Sequence, residues 1–467
     1  MQNNTVKVII GIVVVMVVAL GIWFVAGRAP AEEIIVEEPL EEPVAEEKEV
    51  ETITITWWLE AVLPAQVEAL ERNFIKPFEE IYPHINIEAF VQPELLEVLR
   101  LSLPVGEGPD IVMTMGPAEA AKFAAEGLLA PLNEYIAEAG LDELIAPLAL
   151  DLGRIDENIY SVPKTFESMG IFYNRSLFDL HGWEPATNRQ EFVALNEQIK
   201  AMGILPISAG NAEWRPANEH FVTVYINHYA GPENVYKALT GQLAWDDPIF
   251  VRAIEMFRQD FLNYFPPHAE YSVLTGADFV NRVAAREAAM MIAGSWGFSW
   301  TADPAMWHTD DQWGWAPFPA LRQGVEHPSV AIGVGTTMSI SNLSAHVDEA
   351  ARFVVWLLGY KEGIAAQMLY DPGEWIVPVE IPEELVPEGV DPVFVEHVRT
   401  QSELISKGAY GYTTWTWLGP EGWTWCYEKV EEVLLGTMSA EEYMQGWNEI
   451  FRRELEAGLI PPVAPRN

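Results

Sequence analysis

Cysteine is almost missing from these 467 residues: Cys426 stands alone. A single thiol excludes an intrachain disulfide framework and any zinc site built on cysteines. Basic residues are scarce too, 27 Lys and Arg against 69 Asp and Glu, for a formal charge of −42. That balance excludes nucleic acid as a partner, because phosphate backbones are held by clustered Lys and Arg. Also absent are a Gly-x-x-x-x-Gly-Lys-Ser/Thr phosphate loop and a His-Glu-x-x-His metal pair. Gly333-x-Gly335 lacks the third glycine of a dinucleotide fingerprint and sits inside a strand pattern. Ser295 lacks the glycine two positions earlier that a nucleophile elbow requires. His220 and His228 have no ligand-like neighbour in sequence. Carboxylate pairs suited to glycoside hydrolysis lose diagnostic weight where 69 acids place pairs everywhere. The expectation is a protein without cofactor or metal, and nothing demands an enzyme.

What is present begins with an uncharged run, Val8 to Gly27, between Lys7 and Arg28. As a helix rising about 1.5 Å per residue it reaches about 30 Å, the thickness of a bilayer core. Residues 1–28 therefore read as a transmembrane anchor. The competing reading is a cleaved signal, whose apolar region is about 7–15 residues before a small-residue site such as Ala29-Pro30-Ala31. Either way the rest of the chain is exported, to the extracytoplasmic face of the membrane or as a secreted or periplasmic protein. Residues 29–51 hold ten Glu, one Lys and three Pro. Such a segment repels itself and buries no core, so it reads as a disordered acidic tether. Residues 52–467 keep a net charge of −35 of their own, the charge of a soluble surface.

From Thr52 onward short β-branched runs alternate with helical patterns, the grammar of an α/β protein with largely parallel sheets. Thr52–Trp57 is the first strand, Pro64 opens a helix, and Ile85–Val91 and Ile111–Met113 are strands. The pattern restarts with a strand over 168–173 and a helix opened by Thr187-x-x-Gln190 as a capping box. Further strands are expected at 288–293, 312–317 and, as one longer strand, 330–340. Helices are expected near 217–229, 248–263, 345–358, 361–370, 392–407, 424–435 and 440–456.

Twelve of the eighteen tryptophans follow residue 290, and several stand at strand ends. Trp57-Trp58 closes the first strand, Trp214 follows the Ile207 strand, and Trp296 follows the 288–293 strand. Trp415, Trp417, Trp423 and Trp425 precede a helix. Ligands of open α/β sheets lie beyond the carboxyl ends of strands. An indole face there stacks on the apolar C–H face of a sugar, while nearby polar groups bond its hydroxyls. Trp296, Trp423, Trp58 and Trp214 are the candidate walls; Trp356, inside Phe353-Val354-Val355-Trp356-Leu357, is core. The same clefts suit a membrane-anchored carbohydrate-active enzyme or a binder of a non-sugar solute, and both stay open on these residues.

The order of short motifs resembles one family. Gly108-Pro109-Asp110-Ile111-Val112, Gly127-Leu128-Leu129 with Pro131-Leu132, and Tyr160-Ser161-Val162-Pro163 come first. Ile171-Phe172-Tyr173-Asn174, Glu287 through Trp296, and Gly333 through Ile340 follow, then Ala350-Ala351-Arg352-Phe353 and Trp423 with Gly436. Over 52–458 the chain resembles the family 1 extracellular solute-binding proteins of ATP-binding-cassette importers, the group that includes maltose-binding protein. The resemblance implies a two-lobed, periplasmic-binding-protein-like (type II) flytrap that closes on a carbohydrate and passes it to permease subunits, catalysing nothing. It implies crossings near Lys164–Met169, Ala331–Thr336 and Ile376–Val379. Lobe 1 would comprise 52–164 and 336–375, and lobe 2 would comprise 165–335 and 376–467. Trp296 and Trp423 would lie against the sugar, with Trp214, Glu213 and Arg215 in the matching loop and Trp58 and Glu60 after the first strand. Thr114 stands where maltose-binding protein has an aromatic. The lipid-anchor cysteine of many members is missing, and Val8–Gly27 takes its place.

Overall fold

The computed structural model describes residues 52–60, 67–68, 70–145, 147–212, 216–359 and 388–463. The expected anchor, the tether, the start of the Pro64 helix, the 361–370 helix and the Ile376–Val379 crossing lie outside the described residues. Among the described residues no helix is long and apolar enough to cross a membrane.

Among the described residues thirteen strands follow in chain order. The first three are β1 (Ile53–Leu59), β2 (Ile85–Val91) and β3 (Ile111–Thr114). A small antiparallel hairpin comprises β4 (Arg154–Ile155) and β5 (Asn158–Ile159), and β6 (Val162–Pro163) follows it. Next come β7 (Phe166–Asn174), β8 (Leu205–Ser208), β9 (Ala288–Gly294) and β10 (Trp313–Pro317). The last are β11 (Val330–Val334), β12 (Thr337–Ile340) and β13 (Tyr410–Tyr412).

Two sheets result. The first runs β2-β1-β3-β12-β6 and the second β13-β11-β7-β9-β8, with β10 also on β7. β1 shows why the chain extends here: Ile55, Trp57 and Leu59 are buried on one face, while Thr54 is exposed and Thr56 and Trp58 half-buried on the other. That alternation is the period of a strand. β1 pairs in parallel with the whole of β2, Ile53 opposite Ile85 through Leu59 opposite Val91. Under it, Trp57 meets Phe353 edge-on at 5.7 Å, and Phe78 meets Phe353 and Trp356 at 5.0 and 5.6 Å. Trp356 is core, in the helix Val347–Gly359.

Three local expectations change. The sheets are mixed rather than largely parallel: β12 runs antiparallel to β3 and β6, and β7 antiparallel to β9, β10 and β11. The long 330–340 strand is two strands in different sheets, parted at Gly335–Thr336. Its pattern is continuous because both halves are buried, and burial does not reveal which sheet holds each half. The helix Arg189–Ala201 is capped by Asn188, whose side chain accepts from the Glu191 N–H, and not by Thr187. Thr187 instead donates its hydroxyl and its N–H to Glu191.

Two described connections pass from one sheet to the other: β6 to β7 through Lys164–Thr165, and β11 to β12 through Gly335–Thr336. They are bonded side by side. The Lys164 N–H donates to the Thr336 carbonyl at 2.9 Å, and the Thr336 N–H donates to Thr165 Oγ1 at 2.9 Å. Thr165 Oγ1 donates to the buried Glu167 carboxylate, also at 2.9 Å. A Cβ on Gly335 would lie 2.0 Å from that carboxylate, so glycine at this crossing leaves the carboxylate its place.

Candidate functional site

The richest aromatic and polar grouping lies at strand ends of the second sheet. β9 stops at Gly294, and Trp296 folds back over it. A Cβ at residue 294 would sit 2.1 Å from the indole, so only glycine lets the ring lie there. The half-buried Trp296 stands edge-on to Trp415 at 5.9 Å and tilted 31° to the His220 ring at 5.7 Å. His220 is buried, which lowers its pKa to about 3 and keeps the imidazole neutral. This wall of rings is therefore uncharged.

A second group adjoins it through Glu219. Tyr427 donates its hydroxyl to the Glu219 carboxylate, and burial pushes that phenol well above its ordinary range. One helical turn before Tyr427, Trp423 stacks on it at 4.0 Å and stays 43% exposed, a free aromatic face held by a buried one. Both sit on the helix Pro420–Leu435, which begins four residues before its expected start and so takes in Trp423. Its N-terminus is capped by a distant carboxylate. The N–H groups of Glu421 and Gly422 donate to Glu454 at 2.8 and 3.1 Å, and Gly419 leaves room for it. An anion at this position satisfies orphan N–H groups and complements the helix dipole.

On the first sheet, the carboxyl ends of β1, β2 and β3 carry Trp58, Phe90 and Met115. Trp58 is half-buried with Phe90 at 5.8 Å; Phe90 and Met115 are exposed. Glu60 follows β1 and is half-buried. Thr114 is 1% exposed, and its hydroxyl donates to the Gly116 carbonyl at 2.9 Å while lying 2.7 Å from Thr337 Oγ1. It fastens the end of β3. Gly116 faces the second sheet: a Cβ there would lie 4.0 Å from the carbonyls of both Gly335 and Trp415. Glu213, Trp214 and Arg215 lie outside the described residues.

The structure thus joins Trp296 and Trp423 through His220, Glu219 and Tyr427, and places Trp58, Glu60 and Thr114 on the other sheet. His220, Glu219, Tyr427 and Glu167 were not singled out from sequence as site residues. The only signal was polar residues interrupting apolar runs. Among the described residues no group of three or more His, Cys, Asp or Glu side chains is arranged to hold a metal. Cys426 is buried, and its thiol is pushed well above its ordinary range.

Two α/β units joined by adjacent crossing segments, with aromatic rings at the strand ends, define a two-lobed binding protein of the solute-receptor class. The model of the bacterial extracellular solute-binding proteins matches residues 61–364, well over half of the chain, and the chain belongs to that family. The chain is 23% identical to the maltotriose-binding protein of Pyrococcus abyssi, over 65% of this chain and 62% of that relative's length. It is 25% identical to the multiple sugar-binding protein of Streptococcus mutans, over 66% of this chain and 71% of the relative. Among solved structures, the bacterial solute receptor AcbH superposes with a TM-score of 0.72 at 16% identity, covering 87% of this chain and 99% of that one.

Proposed function

We propose that this chain is the extracytoplasmic solute receptor of an ATP-binding-cassette importer and that its solute is a carbohydrate. The observation that carries the reading is the run Trp415, Trp296, His220, Glu219, Tyr427 and Trp423: neutral rings beside a carboxylate at strand ends. Ring faces take the C–H faces of a sugar, and carboxylates accept from its hydroxyls. The relatives named for maltotriose and for multiple sugars support the same ligand class.

In this reading Trp296 and Trp423 stack on the sugar, Trp58 and Trp214 form side walls, and Glu60, Glu213 and Arg215 bond hydroxyls. Thr114 acts by holding the β3 end opposite them. The lobes are 52–164 with 336–375 and 165–335 with 376–467. Contacts complete only in the closed form shift the population towards it, and the closed rims then dock on the permease. Residues 8–27 anchor the chain, and 29–51 hold the lobes off the membrane. No reaction is catalysed.

A calorimetric screen of the full-length protein against neutral mono- and oligosaccharides, amines and peptides tests the reading. Saturable binding of an intact sugar is expected. Binding of a non-sugar alone overturns the ligand class, and release of shortened products identifies an enzyme instead.

A further inference from the structure

Between Ala217 and Ala230 the backbone departs from the α-helix twice. Ala217–Val222 and Ile226–Ala230 are π-helical, with a single α turn, Thr223–Tyr225, between them. π turns are rare in ordinary helices. Here they have a geometric consequence. An α-helix turns about 100° per residue, which would leave Asn218 and Thr223 roughly 140° apart. With about 4.4 residues in a π turn the same five steps bring them to roughly 50° of each other. Asn227, four residues beyond Thr223, extends the same edge.

That edge holds one segment of chain, the strap Tyr412–Trp415. Asn227 Nδ2 donates to the Tyr412 carbonyl at 2.7 Å, and the Tyr412 N–H donates back to Asn227 Oδ1 at 2.9 Å. Asn218 Nδ2 donates to Thr414 Oγ1 at 2.8 Å. Thr223 Oγ1 lies 2.8 Å from Thr414 Oγ1 and accepts from the Thr414 N–H at 3.2 Å. All three side chains are at most 1% exposed. Behind the strap, Tyr412, Thr413 and Thr414 border a small cavity with Ile226, Trp245 and Trp447. The strap is also tied to β11, the Thr413 N–H donating to the Ile332 carbonyl at 3.0 Å, so the sheet holds one side of it and the three side chains hold the other. In front, Trp415 braces Trp296 edge-on, and its carbonyl lies beside Gly116 of the other sheet.

We infer that Asn218, Thr223 and Asn227 are positioning residues for solute binding: the π turns align them to hold the strap, so that Trp415 braces Trp296 at the cleft. The inference rests on the solute-receptor reading for its functional part and on geometry alone for its structural part. A buried network of this kind fixes one arrangement because each lost bond leaves a partner unsatisfied. The three are buried against the strap, and in this inference they act through Trp415 and Trp296.

The test uses full-length protein labelled with 5-fluorotryptophan, the Trp296 and Trp415 signals being assigned by their loss in Trp296→Phe and Trp415→Phe. Thr414→Val removes the bonded hydroxyl at nearly constant shape, Thr414→Ser restores it, and Asn218→Ala removes the donor to Thr414 together with the Asn218 contact to Tyr427. Thr414→Val and Asn218→Ala are expected to shift both fluorine signals. Each should also weaken sugar affinity about threefold to tenfold in the folded protein. Thr414→Ser should resemble the parent in both. Unmoved signals, or unchanged affinity in either folded variant, overturn the inference. If the parent binds no sugar, the carbohydrate reading fails by itself, and the fluorine shifts alone decide whether the ladder holds the tryptophan pair.

Discussion

Trp296 occupies its place because Gly294 leaves the strand end open beneath it, a relation of two residues visible only in coordinates. Its neighbours divide the work by charge and burial. His220 is neutral because burial disfavours the imidazolium, whereas Glu219 brings a carboxylate to the same edge, bonded by Tyr427. Trp423 offers the most exposed of these faces. At this scale the expected outcome is that Trp296→Ala weakens sugar binding by about 1–3 kcal/mol, from lost stacking and lost apolar burial. Calorimetry on the folded variant measures it; an unchanged dissociation constant would return Trp296 to a purely structural role.

Among the elements, the helix that carries Trp423 depends on a residue more than thirty positions away. Glu454 is 4% exposed and accepts from two N–H groups at the start of Pro420–Leu435. Glu454→Gln replaces an acceptor oxygen by a donor that faces those N–H groups. It should cost about 1–2 kcal/mol of stability, read as a lower urea midpoint at unchanged slope. The helix is recognisable from its apolar spacing, but its first turn is not, because the cap is remote in sequence. The same limit applies to Arg189–Ala201. Thr187 and Asn188 are both good capping residues, and the backbone geometry at Asn188 chose between them. Nor did apolar spacing reveal the π turns of 217–230. Asn218, Thr223 and Asn227 interrupt Phe221, Val222, Val224 and Tyr225 as surface residues would, yet they are buried against the strap.

For the whole molecule the crossings and the buried histidines matter. Thr165 links both described crossings, accepting from the Thr336 N–H and donating to Glu167. Thr165→Val removes both bonds and should widen the interlobe distance distribution of the ligand-free protein. Spin labels, one on each lobe, would report it; an unaltered distribution would show that the hinge is set elsewhere. Stability should also fall with acid. His220, His228 and His397 are buried, each with its pKa lowered to about 3, chiefly by burial. Above the unfolded value of about 6.5 both states are neutral and stability is unaffected. Below it the unfolded chain binds protons that the native chain refuses, so stability drops between about pH 6 and pH 4. The slope approaches about 1.4 kcal/mol per pH unit for each histidine. Urea midpoints across this range check the sign, and His228→Gln should flatten the slope by roughly a third.

The sequence by itself determined the α/β alternation, the lack of any intrachain disulfide and the family, through short motifs in a fixed order. These are properties of composition and local period, and β1 or the helix Pro248–Tyr264 needs nothing distant to be recognised. Only the tertiary structure decided that 330–340 divides between two sheets, that Trp415 rather than Trp417 stands against Trp296, and that Glu167 lies buried beneath Gly335. Each is a contact between segments far apart in the chain. A one-dimensional pattern records whether a side chain is apolar, and not which distant backbone it meets.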